Sequence, residues 1–154
     1  MHPSQLPVDY VLSRAAIIAE ARKWLGTPYK HQGRGYKGID CVGLLIEVAK
    51  GVGHPVNAPS AYSNMPKGYQ LLDPCHAQLW KPDRQKPRPG DLAVFWGWNE
   101  SEPQHFGFLA EYGGCLTVIH SFSKPNLERV VEQNFDRVWV KKFHCLFTLP
   151  GTEE

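Results

Sequence analysis

Gly38-Ile39-Asp40-Cys41-Val42-Gly43-Leu44-Leu45-Ile46-Glu47-Val48-Ala49-Lys50 reads as a helix entered directly at a cysteine. Asp40 is a residue type that caps helix N-termini, and Gly51 one that follows helix C-termini. Between them Val42, Leu44, Leu45, Ile46, Val48 and Ala49 leave few polar positions, the pattern of a helix buried in the centre of a domain. Cys41 then falls in the first turn. Unpaired amides and the positive dipole end favour a thiolate there, and the thiolate is the form that attacks carbonyls. Free cysteines also serve as small core residues. The loop before Cys41 carries Gly33, Gly35 and Gly38, where backbone can approach a ligand closely. Nucleophile and core residue therefore stand on equal footing until a base is found.

Working outward, residues 1–12 read as a loose lead-in. Ser13 can cap a helix running to about Leu25, with Ile17, Ile18, Ala21, Trp24 and Leu25 on one side at helical spacing. Gly26 ends it, Thr27-Pro28 forces extended chain, and residues 29–39 form a Gly-rich polar loop. Residues 51–66 are a linker or lid with Pro55, Pro59 and Pro66. A short helix is expected within 68–80 although Pro74 interrupts it, and residues 81–89 are Pro-rich and exposed. The pattern then changes to strands. They are expected at Asp91–Trp98, at His105–Tyr112, at Cys115–Phe122 as the hairpin partner across Gly113-Gly114, at Glu128–Gln133, and within Val138–Leu149. Helices first and short antiparallel strands after is an α+β layout.

The 154 residues suggest one domain, and 42% hydrophobic with 21% charged content is ordinary for a globular protein. A formal net charge of +2 without a basic run does not argue for nucleic acid. No apolar run approaches the ~18 residues of a membrane span, and no signal peptide is visible. The expectation is therefore synthesis in the cytoplasm, no membrane partner and reduced thiols. Cys41, Cys75, Cys115 and Cys145 form no C-x-x-C pair, so a structural zinc site has little support.

A cysteine hydrolase needs a base within hydrogen-bond reach of the thiol and a group that orients the base. If the strands on either side of Gly113-Gly114 form a hairpin, His105 and His120 lie at the same open end. Their midpoint, (105 + 120)/2 = 112.5, places them side by side across the pair. His105 would then accept the thiol proton and His120 would hold its tautomer. Taken singly, each reads more readily as a loop-end or half-buried strand histidine. A Cys/His/His zinc site is the other reading of the three. Trp80, Trp96 and Trp98 can stack groups at a groove, although core packing is the better reading for at least one of them. His31 reads as a solvated loop residue or a substrate contact.

Five motifs in order carry a resemblance: Gly26-Thr27-Pro28-Tyr29; Asp40-Cys41-x-Gly43-Leu44; Arg88-Pro89-Gly90-Asp91-Leu92-Ala93-Val94-Phe95; His105-Phe106-Gly107-Phe108; and Ile119-His120-Ser121. Together they resemble the NlpC-type, papain-like cysteine peptidases over roughly residues 14–148. With Tyr29-x-His31-Gln32 ahead of Asp-Cys, the chain is similar to the subgroup encoded with phage tail genes and gene-transfer agents. The resemblance implies one papain-like domain over 1–154, with N-terminal helices packed on a C-terminal antiparallel sheet.

It also implies cleavage of bacterial peptidoglycan stem peptides, usually between γ-D-glutamate and the diamino acid, without metal or organic cofactor. Cys41 matches the nucleophile, His105 the base and His120 the orienting residue. Tyr29 matches a tyrosine placed near the oxyanion, and Asp40 an acidic residue that pairs with the free amine of the stem peptide. From the residues themselves, Asp40 is equally an N-cap and Tyr29 equally a packed loop residue. The chain departs from the family in two places: Val42 stands where Ser is common, and the loop Lys30-His31-Gln32-Gly33-Arg34-Gly35 stands where paired glycines are usual. The alternative function is a phage tail-tip or tail-assembly component in which the fold serves docking to tail proteins. An acyltransferase on the same fold would call for a long apolar lipid-binding segment, which the sequence lacks.

Overall fold

A computed structural model describes residues 11–57, 70–97 and 102–154. In chain order the elements are α1 (Arg14–Arg22), β1 (Arg34–Gly35), β2 (Gly38–Ile39), α2 (Cys41–Gly51), α3 (Leu72–Gln78), β3 (Leu92–Trp96), β4 (Pro103–Tyr112), β5 (Cys115–Phe122), β6 (Arg129–Asn134), α4 (Arg137–Lys142) and β7 (Phe143–Phe147). The fold is α+β. One antiparallel sheet of order β6-β5-β4-β3-β7 is built almost entirely from the second half of the chain.

The central strands are apolar on successive residues because both faces are covered. Leu92, Val94, Phe106, Phe108, Ala110, Ile119, Val130 and Phe147 join a core with Ile17 and Ala21 of α1 and Leu44, Leu45 and Val48 of α2. Ala93, Phe95, Leu109, Val118 and Leu146 form a second cluster, with Phe135, Trp139 and Phe143 against it. Arg14 and Arg84 both bind the fully buried Asp91 carboxylate, at 2.8 and 2.7 Å, and tie the start of α1 to the start of β3.

Several elements differ from the sequence reading. Leu12 is not loose: it is buried and its amide bonds the Gly151 carbonyl at 2.6 Å. Helix α1 has the expected Ser13 cap but stops at Arg22, and Gly26 follows at φ +87°. Gly51 lies inside α2, and the positive φ falls at Gly53. The loop 29–39 contains the small β1–β2 hairpin. Pro74 does not interrupt α3 because it sits in the first turn, where its missing N–H has no helical acceptor. The segment expected as strand from Val138 begins instead as α4, because Asp136 accepts from the amides of Val138 and Trp139 and caps a helix. Trp98, Glu100, Ser101 and most of the expected lid 51–66 lie outside the described residues.

Candidate active site

The nucleophile candidate is positioned by its cap. Asp40 accepts from the Gly43 amide at 2.8 Å and starts α2 at Cys41. The helix start is clipped to the sheet: the buried Ser121 hydroxyl donates to the Ile39 carbonyl at 2.6 Å. Ile39 precedes Cys41 by two residues and Ser121 follows His120, so one bond joins the two halves of the site. The Cys41 thiol meets the backbone amide of Phe106, the neighbour of His105. Cys41 and His105 both line a cleft of about 670 Å³.

The histidines come from the open ends of β4 and β5, two interior strands. The turn is Gly113-Gly114, at φ +60° and +82°, with Tyr112 opposite Cys115. That centres the hairpin one residue later than the midpoint of the two histidines. His105 and His120 are therefore diagonal neighbours, not direct partners. A diagonal pair still reaches when the rings lean together, and His105 Nε2 lies 2.7 Å from His120 Nδ1. Gly107 makes this possible, since a Cβ there would lie 2.7 Å from His120 Cβ. Beyond the pair, His120 Nε2 lies 2.7 Å from Gln133 Oε1 on β6.

Aromatic rings enclose the pair. Trp139 stands edge-on to His120 with centroids 4.7 Å apart, and Phe95 and Phe122 flank His105. This packing sets the protonation. Burial, with His120 adding to it, holds His105 well below its ordinary value. Burial lowers His120 to about 4 against the opposing bond from Gln133. Burial pushes the Cys41 thiol up to about 12; Asp40 adds to the rise, and the amides of Phe106, Val42 and Cys41 oppose it. The resting pair is thus neutral thiol and neutral imidazole. The thiolate expected from the helix dipole is outweighed in the free protein by desolvation.

Residues 26–146 match the model of the NlpC/P60 family. The chain belongs to the NlpC/P60 family. Among solved structures, the NlpC/p60 domain of the peptidoglycan hydrolase SagA aligns at 26% identity and TM-score 0.60, covering 88% of this chain and 98% of that one. An NlpC/P60 family protein from Bacillus cereus aligns at 20% identity and TM-score 0.63, covering 89% of this chain and 40% of its own. A lipoprotein-like NLP/P60 family protein from Staphylococcus aureus aligns at 15% identity and TM-score 0.63, covering 94% and 45%. The last two share the fold, and this chain spans less than half their length. A search of curated proteins finds no match.

The NlpC/P60 fold places the remaining expected residues as follows. Tyr29 lines the cleft with Cys41, and burial raises its phenol to about 12, with Cys41 and Asp40 adding to the rise. Asp40 is only 3% exposed, and both of its oxygens are used inside the protein. Oδ1 accepts from Gly43 and Arg34 (2.8 and 3.2 Å), and Oδ2 from the Gln32 amide at 2.7 Å. The geometry thus gives Asp40 its capping role. His31 does not simply solvate the loop: it lines the cleft, with Nδ1 3.9 Å from Asp40 Oδ2.

Val42, where Ser is common, is buried in the main core. Trp96 lines the cleft and lies tilted against His144 with ring centroids 4.1 Å apart, whereas Trp80 is 54% exposed and Trp24 stacks on Tyr36. A zinc ion shared by the two histidines does not fit, because their facing nitrogens at 2.7 Å share a proton. Among the described residues no cluster of three His, Cys, Asp or Glu side chains is placed to hold a metal, and no helix is long and apolar enough to cross a membrane.

Sequence reasoning missed three residues. Gln133 gave no signal, being one polar position among several on a strand. Trp139 was hidden in a segment read as strand. Gly107 lies between a candidate base and an apolar strand with nothing local to mark it, yet its place opposite a histidine is what the His105–His120 contact requires.

Proposed function

We propose that the protein is a cysteine endopeptidase that hydrolyses peptidoglycan stem peptides, at the bond between γ-D-glutamate and the diamino acid. The observation that carries this reading is the relay from Gln133 through His120 to His105, on a cleft that Cys41 also lines. SagA, described as a peptidoglycan hydrolase, supports the substrate class. With His105 Nε2–H donating to His120, the lone pair of His105 Nδ1 is left to take the thiol proton. The sulfur attacks the acyl carbon as that proton moves to His105. The backbone amide of Cys41 and the Tyr29 hydroxyl stabilise the oxyanion. His105 returns the proton to the leaving amine, a thioester forms on Cys41, and water activated by His105 releases the acid and the free thiol.

Desolvation makes neutral thiol the resting state, so deprotonation is coupled to attack and does not precede it. We further read the protein as made in the cytoplasm and carried by a phage tail or gene-transfer particle. That rests on Tyr29-x-His31-Gln32 alone. The test is digestion of purified diaminopimelate-type and lysine-type peptidoglycan by wild type and by Cys41→Ala, with mass spectrometry of the products. Fragments from the wild type only, with masses that locate the γ-D-glutamyl bond, support the proposal. No fragments from either wall type reject it in favour of a tail-assembly protein.

A further inference from the structure

We propose that Gln133 is a positioning residue that sets the direction of the proton relay, the outermost member of a Cys41–His105–His120–Gln133 line. The inference deepens the peptidase reading and rests on its assignment of nucleophile and base. Three side chains step across three adjacent strands: His105 on β4, His120 on β5 and Gln133 on β6. The second step repeats the first. His120 is opposite Val131, so Gln133 is its diagonal neighbour on β6, just as His105 is on β4. Both links are 2.7 Å.

The direction follows from hydrogen-bond chemistry. His120 is fully buried and His105 half-buried among aromatic rings, and both are held below their ordinary values, so each carries one ring proton. A neutral imidazole donates from one nitrogen and accepts at the other. If Gln133 presents its carbonyl oxygen, His120 is the Nε2–H tautomer and accepts at Nδ1. His105 must then donate from Nε2, and its Nδ1 is a free base toward the thiol. If Gln133 presented its NH₂, every bond would reverse, and His105 would offer Cys41 a proton in place of a lone pair. A pair of histidines alone has no preference between these directions; the carboxamide supplies it.

Strand β6 is held firmly enough for the task. Beside Gln133, Glu132 accepts two bonds from Arg22 and one from Thr117, all at 2.9 Å or less.

The test compares Gln133→Leu, which removes the acceptor, with Gln133→Glu, which keeps an acceptor of the same shape. Folding of each is checked by near-ultraviolet circular dichroism. Long-range ¹H–¹⁵N correlation spectra report each histidine tautomer without any substrate. The expected result is Nε2–H at both His105 and His120 in the wild type and in Gln133→Glu, and a mixture in Gln133→Leu. In turnover, Gln133→Leu loses about tenfold or more in kcat with KM little changed, the size of one lost hydrogen bond. Gln133→Glu restores turnover and moves the acid limb of its pH profile to higher pH, because a carboxylate favours imidazolium.

Wild-type tautomers and pH profile in Gln133→Leu would overturn the proposal, as would equal impairment in the two variants. Alkylation of Cys41 by iodoacetamide, read by peptide mass, separates this from the substrate assignment. If the wild type cleaves no wall peptide yet Gln133→Leu slows Cys41 alkylation and scrambles the tautomers, the relay stands and the peptidoglycan reading falls.

Discussion

Replacing Gly107 by alanine should damage the site through the His105–His120 contact. The added Cβ would lie 2.7 Å from His120 Cβ, 2.8 Å from the Ile119 carbonyl oxygen and 2.9 Å from Val118 Cγ2. Carbon atoms rest about 3.5 Å or more apart, so relief demands a movement of roughly 0.8 Å. Two of the three neighbours are a Cβ and a backbone oxygen, which no rotamer change can move. Strand β5 is also held on both sides by β4 and β6. The shift therefore falls on His120 and carries its 2.7 Å bond past hydrogen-bonding range.

Overpacking of this kind costs about 1–3 kcal/mol. A displacement near 1 Å in a catalytic group costs on the order of a hundredfold in rate. Urea unfolding with parallel turnover on stem peptide reads both. Gly114→Ala is the control: nothing lies within 4 Å of its Cβ position, but φ is +82°. It should lose about 1 kcal/mol to left-handed strain and keep its activity. A Gly107→Ala protein as active as Gly114→Ala would refute the reasoning.

Further outcomes are expected from the same geometry. His105→Ala should abolish turnover and slow Cys41 alkylation at pH 7, because the half-buried thiol loses the base assigned to it. Near-native turnover would show that another group takes the proton. Ser121→Ala removes the 2.6 Å bond to Ile39 and should cost about 1–3 kcal/mol with a loss of kcat larger than a stability change alone gives, measured by denaturation and kinetics together. Asp91→Ala leaves two partly buried arginines unpaired and should cost about 3–5 kcal/mol while sparing kcat in the folded fraction.

His120 is lowered from 6.5 to about 4, so between those pH values the unfolded chain binds more protons than the native one. Stability should therefore fall as pH drops from 6.5 to 4, by roughly 3 kcal/mol for this group, and His120→Asn should flatten that slope in pH-dependent denaturation.

Much of this arrangement was legible in the chain. Asp40 before an apolar run marks the start of α2, and Gly113-Gly114 between alternating segments marks a hairpin whose second strand has the expected limits, Cys115–Phe122. The approach of His105 and His120 follows from the second of these signals. Their diagonal register does not, because it depends on which two residues the turn consumes. Helix α4 was read as strand because Val138 and Val140 are β-branched. Both are more than half exposed, so their type reflects no buried strand face, and Asp136 decides the structure by capping. Gln133 owes its role to a neighbour thirteen residues away across the sheet, which no local pattern encodes. The Arg34–Asp40 pair likewise depends on a two-residue hairpin folding back over the helix start.

The central claim is that Cys41 attacks the peptide carbonyl with His105 as its base. Acid quench of wild-type enzyme mixed with excess stem peptide, followed by proteolysis and mass spectrometry, tests it most directly. The account predicts an acyl adduct on the peptide that contains Cys41, formed quickly in the wild type and only slowly in His105→Ala. Product release with no adduct on Cys41 at any time, or an adduct that forms as fast without His105, would contradict it.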